Sequence, residues 1–136
     1  MGNDDPAAAK SASPYERLGG DAGVRDLVDA FYDRMDLEPS FAGIRALHHA
    51  TLDGSRDKLY WFLSGWLGGP QLYVERFGHP RLRARHLPFR ITSAERDAWL
   101  ACMRMALDDV EAPADLVGPL MEAFRGTADW MRNRPD

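Results

Sequence analysis

Trp66-Leu-Gly-Gly-Pro-Gln-Leu-Tyr-Val-Glu-Arg-Phe-Gly-His-Pro-Arg-Leu-Arg-Ala-Arg-His-Leu-Pro-Phe-Arg90 is the stretch that decides the fold. Gly68-Gly69-Pro70 stops a helix, and Gly78 and Pro80 interrupt the next segment, so residues 71–84 read as a loop with short helical turns. The loop delivers His86 behind three alternating arginines, Arg81, Arg83 and Arg85, and ahead of Leu87-Pro88-Phe89. One nitrogen ligand, adjacent cations and an apolar slot are the combination that a haem asks for: an axial ligand, partners for two propionates and cover for the macrocycle. Alternation points the three arginines in different directions on any regular structure, so Arg85, next to the histidine, is the best propionate candidate. Lys58, beside Leu59 and Phe62 on a helix, is the second.

Outward from this stretch the periodicity is helical. Val24, Leu27, Val28, Phe31 and Met35 fall three and four apart behind a predicted cap at Asp21, with Tyr32 beside the stripe. Glu38-Pro39 ends that helix, and an irregular region runs through Phe41, Ile44, Leu47, His48 and His49. A second amphipathic helix starts near Asp53 and puts Leu52, Ser55, Leu59, Phe62, Leu63 and Trp66 on one face. Thr92-Ser-Ala-Glu95 is a capping box that opens a helix bearing Trp99, Leu100, Met103, Ala106, Leu107 and Val110. A last helix starts near Pro113 and carries Leu116, Leu120, Phe124, Thr127 and Met131. With no alternating strand pattern and no repeats, the fold class is all-α, one domain over residues 14–136. Residues 1–13, without aromatic or branched aliphatic side chains, are expected to be a disordered tail.

Composition excludes several function classes. Of the 136 residues 45% are hydrophobic and 28% charged, as in an ordinary globular domain, and the net charge of -4 argues against nucleic-acid binding. Cys102 is the single cysteine, which rules out a disulfide or a cysteine-based zinc or iron–sulfur site within the chain, and its apolar helical setting reads as core. No apolar run approaches the ~18 to 20 residues of a membrane span, and the N-terminus has no hydrophobic signal core, so the expected location is the cytoplasm. No hydrolase or kinase motif is present. His79 and His86 stand seven apart across Gly78 and Pro80, the wrong spacing for a two-histidine helical metal site, and the adjacent His48 and His49 would diverge.

A haem site also needs hydrogen-bond donors on the ligand-binding side. Tyr32 offers a phenol, Trp99 an indole N–H that cannot ligate iron, and His48 a further donor, although Tyr32 and Trp99 also suit plain packing.

Taken together, Tyr15-Glu-Arg-Leu-Gly-Gly20, Phe31-Tyr32, Trp66-Leu-Gly-Gly-Pro70, Gly78-His-Pro-Arg-Leu-Arg-Ala-Arg-His-Leu-Pro-Phe89 and Glu95-Arg-Asp-Ala-Trp99 are highly specific. From about Tyr15 to Met131 the chain resembles a truncated haemoglobin of group II. The resemblance implies a two-over-two helical sandwich around haem b, with His86 as the proximal iron ligand. It implies a distal side of Tyr32, His48, Ser55, Leu59 and Trp99, Ser55 falling where many globins have histidine; either His48 or His49 faces the pocket. Lys58, Phe62, Tyr73 and His79 complete one part of the implied haem contact, and Leu82, Arg85, Phe89 and Met103 the other. The implied ligands are O2, CO, NO and similar diatomics. The implied role is reversible O2 binding with slow release, or NO dioxygenase or peroxidase chemistry supported by a separate reductase. The expected assembly is a monomer or homodimer.

Overall fold

A computed structural model describes residues 12–136. The greater part of the expected tail lies outside the described residues. Ser13, expected to belong to that tail, instead caps the first helix: its hydroxyl and backbone N–H form a capping box with Glu16. The described elements are helical, with no strand among them: α1 Pro14–Arg17, α2 Gly20–Leu37, a 3-10 turn Pro39–Phe41, α3 Ala42–Arg45 and α4 Asp53–Trp66. They continue with α5 Leu72–Phe77, α6 Leu82–His86, α7 Ser93–Asp109 and α8 Ala114–Met131. Helix α2 packs on α4 and α7, and α7 on α8, which lays one helix pair over another.

The predicted stripe of α2 is the centre of the core. Val24, Leu27, Val28, Phe31 and Met35 are all at most 2% exposed, and Tyr32 is buried beside them. Deleting a side chain as enclosed as Phe31 would cost about 3–5 kcal/mol. The start of α2 differs from expectation. The helix begins at Gly20 after Gly19, which adopts φ 106°. Asp21 therefore lies inside the first turn, and its carboxylate accepts from the Tyr60 hydroxyl and from Arg25 instead of capping. Gly23 is required by close approach, because a Cβ there would run into the backbone carbonyl of Leu18.

Helix α4 buries a different set from the one its periodicity predicts. Leu52 and Leu63 are buried as expected, but so are Tyr60, Ser64 and Leu67. Each polar group among them has a partner: the Ser64 hydroxyl donates to the Pro70 carbonyl at 2.7 Å, and Tyr60 reaches Asp21 beneath the Arg25 guanidinium, 3.9 Å from its ring. Leu59, Phe62 and Trp66, on the predicted face, remain half-buried. Residues 71–84 hold the short helical turns expected of them, α5 and the start of α6. The α7 capping box is formed by Thr92 and Glu95, and Pro113 stands one position before α8. Cys102 is fully enclosed, donating to the Phe31 carbonyl at 3.1 Å, and burial pushes its thiol up to about 12, which suits a core residue and not a nucleophile.

Candidate haem site

Helix α6 presents His86 at its C-terminus. Its chain enters through Arg81, whose φ of 49° is unusual for a residue with a side chain, and whose backbone N–H donates to His79 Nδ1 at 3.1 Å. His86 Nδ1 lies 2.6 Å from the Leu82 carbonyl. A carbonyl can only accept, so Nδ1 carries a proton, and in the neutral ring Nε2 is the nitrogen with the free lone pair; it has no hydrogen-bond partner among the described residues. That is the tautomer a metal ligand needs, with its orientation fixed by a backbone partner.

The helix is short and is held mainly from the C-terminal end of α8. Asn133 Nδ2 donates to the His86 carbonyl at 2.9 Å, while its Oδ1 accepts from the Ile91 N–H at 3.1 Å. Arg83 donates to the Trp130 and Arg132 carbonyls at 2.7 and 2.8 Å, and Arg134 to the Leu87 carbonyl at 3.3 Å. Nothing in the periodicity signals Asn133, which lies beyond the last helix.

A chain of rings leads across the interior. Tyr32 meets His48 edge-on at 5.8 Å; Phe31 touches both Tyr32 and Trp99, at 5.0 and 5.2 Å. Phe124 joins Trp99 at 5.5 Å to Trp66, against which it stacks at 4.5 Å. Tyr32 is 5% exposed, yet its hydroxyl bonds to no described residue, and the half-buried Trp99 indole N–H is likewise unpaired. Burial raises the Tyr32 phenol well above its ordinary pKa, against the weaker opposing effect of Arg56, 5.9 Å from the ring. The phenol is therefore a neutral donor.

His48 differs from expectation. Its Nδ1–H is spent on the Ile44 carbonyl at 2.8 Å, leaving Nε2 as an acceptor. Burial lowers its pKa, outweighing the carbonyl's opposite pull, and the charges of Arg45, His86 and His49 lower it further. Neutral His48 thus offers a lone pair where a donor was expected. His49 is exposed, so of the two it is His48 that packs on Tyr32.

The other expected contact residues are divided. Phe62 meets Tyr73 at 6.5 Å, and the Arg85 guanidinium lies 5.7 Å from the same Tyr73 ring while its Nε holds the Pro80 carbonyl. Leu82 and Ser55 are half-buried, and Met103 is fully enclosed in α7. Lys58, His79 and Phe89 are exposed, and nothing ties Lys58 to the ring cluster. The three alternating arginines do diverge: Arg83 turns to α8, Arg85 to Tyr73, and Arg81 to neither.

The structure offers an imidazole nitrogen without a partner, two donors on the ring cluster that no described residue uses, and half-buried apolar positions at Leu59, Phe62 and Trp66. Such a donor set fits a haem. The sequence agrees: residues 13–133 match the model of the bacterial-like globin family. The chain belongs to the truncated haemoglobins of group II. The group 2 truncated hemoglobin YjbI of Bacillus subtilis is 40% identical over 91% of both chains. Among solved structures, the group II 2-on-2 hemoglobin from the plant pathogen Agrobacterium tumefaciens is 44% identical, with a TM-score of 0.88 over 93% of this chain and 98% of that one. The truncated oxygen-avid haemoglobin from Bacillus subtilis is 40% identical, with a TM-score of 0.81 over 90% of this chain and all of that one. The globin family is one of haem-binding proteins that take small diatomic ligands, and no described helix of this globin is long and apolar enough to cross a membrane.

Proposed function

We propose that this globin carries haem b on His86 Nε2 and binds O2 reversibly with slow release. The observation that carries the reading is the coincidence of a bare Nε2, held in tautomer by Leu82, with two donors, the Tyr32 hydroxyl and Trp99 Nε1–H, that no described residue uses. Haem supplies the ferrous iron that takes O2, CO or NO. Tyr32 and Trp99 would donate hydrogen bonds to a polar ligand held there, each worth about 1 kcal/mol net, or several-fold to tenfold in release rate. Ser55 is too short to replace them. Arg85 and Lys58 are assigned to the propionates, where exposed charge pairs orient the group more than they bind it. The oxygen-avid character of the Bacillus subtilis relative supports slow release. The expected cytoplasmic location belongs to the same reading.

A second reading, NO dioxygenase or peroxidase chemistry with electrons from a separate reductase, is favoured by one observation. The His48 ring, its Nδ1 engaged by Ile44, packs edge-on against the Tyr32 ring at 5.8 Å, so an imidazole with an accepting nitrogen to spare adjoins the side chain that would polarise the ligand. The test is a visible spectrum of the purified protein, the O2 dissociation rate, and NO consumption by the oxygenated form. A Soret band with slow release supports the first reading, and fast catalytic NO loss with a reductase supports the second. A colourless protein that takes up no added haem refutes both.

A further inference from the structure

Charge is distributed unevenly on this globin. Residues 69–94 contain five arginines and one glutamate, whereas the rest of the chain has 12 lysines and arginines against 20 carboxylates. Ion pairing repeats the division. Among the described residues, nine arginines reach a carboxylate within 4.0 Å. Arg76, Arg81, Arg83, Arg85, Arg90 and Arg134 reach none among the described residues, and all but Arg134 lie in the stretch around α5 and α6.

Arg85 is already assigned to a propionate. Arg83 and Arg134 are anchored by carbonyls of residues 87, 130 and 132, which fix each guanidinium without cancelling its charge. Between them lie two exposed apolar side chains: Trp130, 64% exposed with Arg83 5.3 Å from its ring, and Leu87, 45% exposed. The nearby carboxylates are engaged: Asp129 holds Arg96 and Arg132, and Asp136 accepts from the Ser93 N–H and hydroxyl. The result is an apolar centre with a fixed cationic rim, the anatomy of a small transient interface. Asn133, which borders it, bonds to the His86 carbonyl.

We propose that this face, built from Arg83, Leu87, Trp130 and Arg134, docks an acidic one-electron carrier protein that reduces the haem; the inference rests on the haem reading proposed for His86. One electron leaves the reduced carrier and converts ferric to ferrous iron, with no bond made or broken. A carrier with a ring of carboxylates fits the patch by charge. A long polyanion or an anionic membrane fits poorly, because the acidic remainder of the surface repels anything extending beyond the patch.

The experiment uses the ferric holoprotein, identified by its Soret band, so that failure of the haem reading is seen first and separately. Oxidised plant-type [2Fe–2S] ferredoxin, a strongly acidic probe, is titrated in at low and high salt, with amide shifts mapping its footprint. Haem reduction by reduced ferredoxin is then timed in stopped flow. The expected result is a footprint on residues 83–87 and 130–134, with binding and reduction that weaken as salt rises. Arg134→Glu and Arg83→Glu should each weaken both by about tenfold or more, and Trp130→Ala by several-fold, while reduction of Trp130→Ala by dithionite is unchanged. Arg83 also anchors α6, so thermal melts accompany its variant, and Trp130→Ala at an exposed site carries the test if Arg83→Glu unfolds. Binding indifferent to salt and to Arg134→Glu and Trp130→Ala, a footprint on the acidic helices, or self-association through this face would overturn the proposal.

Discussion

Replacing Tyr32 by phenylalanine should separate two quantities that usually move together. The hydroxyl has no protein partner among the described residues and its ring is 5% exposed, so its removal breaks no internal hydrogen bond and leaves the packing against Phe31 and His48 intact. The apo protein should therefore melt at nearly the same temperature, since the hydroxyl has no protein partner and its oxygen is not sealed from solvent-accessible space. O2 release from the loaded protein should accelerate, by about tenfold if the phenol contributes ~1.4 kcal/mol to holding the ligand. CO, which is less polar, should respond less. Because burial lifts the phenol above its ordinary pKa of about 10, release from the parent protein should stay flat as pH rises from about 7 to 9.5. Calorimetric melts of the apo forms and stopped-flow ligand replacement on the loaded forms read the two effects. A melting temperature several degrees lower would mean that the hydroxyl has an internal partner after all, and unchanged O2 release would mean that it never reaches the ligand.

Trp99→Phe should also speed O2 release about tenfold, and the double variant should be non-additive if both donors serve one atom, read by the same ligand-replacement assay. Asn133→Ala strands the His86 carbonyl and the Ile91 N–H, so stability should fall by about 2 kcal/mol in denaturant melts, and the iron–histidine stretching band should broaden in resonance Raman spectra. Gly23→Ala should cost several kcal/mol or prevent folding, seen by circular dichroism, because the new methyl meets the Leu18 carbonyl backbone. Glu95 is held below its usual pKa chiefly by the Thr92 N–H. Its contribution is full above the ordinary carboxylate range and is lost as pH falls through the folded value, so Glu95→Gln should flatten the acid limb of a stability–pH profile while lowering stability near neutrality.

Much of the fold was legible because helices advertise themselves. The stripe of α2, the Gly-Gly-Pro stop after Trp66 and the Thr92–Glu95 cap are local rules, and local rules can be read from one strand of text. What escaped reading was set by partners distant in sequence. Tyr60 and Ser64 fall outside the face that the periodicity of α4 picks out, and they are buried because Asp21 and the Pro70 carbonyl satisfy them. The candidate site divides the same way. His86, Tyr32 and Trp99 stand out by residue type and context, whereas which nitrogen of His48 carries the proton is set by the Ile44 carbonyl, which residue type alone does not reveal.

The fastening of α6 to residues 130–134 has a consequence for biosynthesis. Asn133 and the carbonyl it grips are 47 positions apart. A nascent chain can therefore expose His86 while the ribosome still conceals the amide that steadies it. Tyr32 and most of the α2 stripe emerge early, but the imidazole waits for the last turn of α8 and the residues just beyond it. On the proposed reading, secure capture of the cofactor would be deferred until about fifty more residues have cleared the exit tunnel, at some 5–20 residues per second, an interval of several seconds in which the apolar ring cluster would have to shield itself.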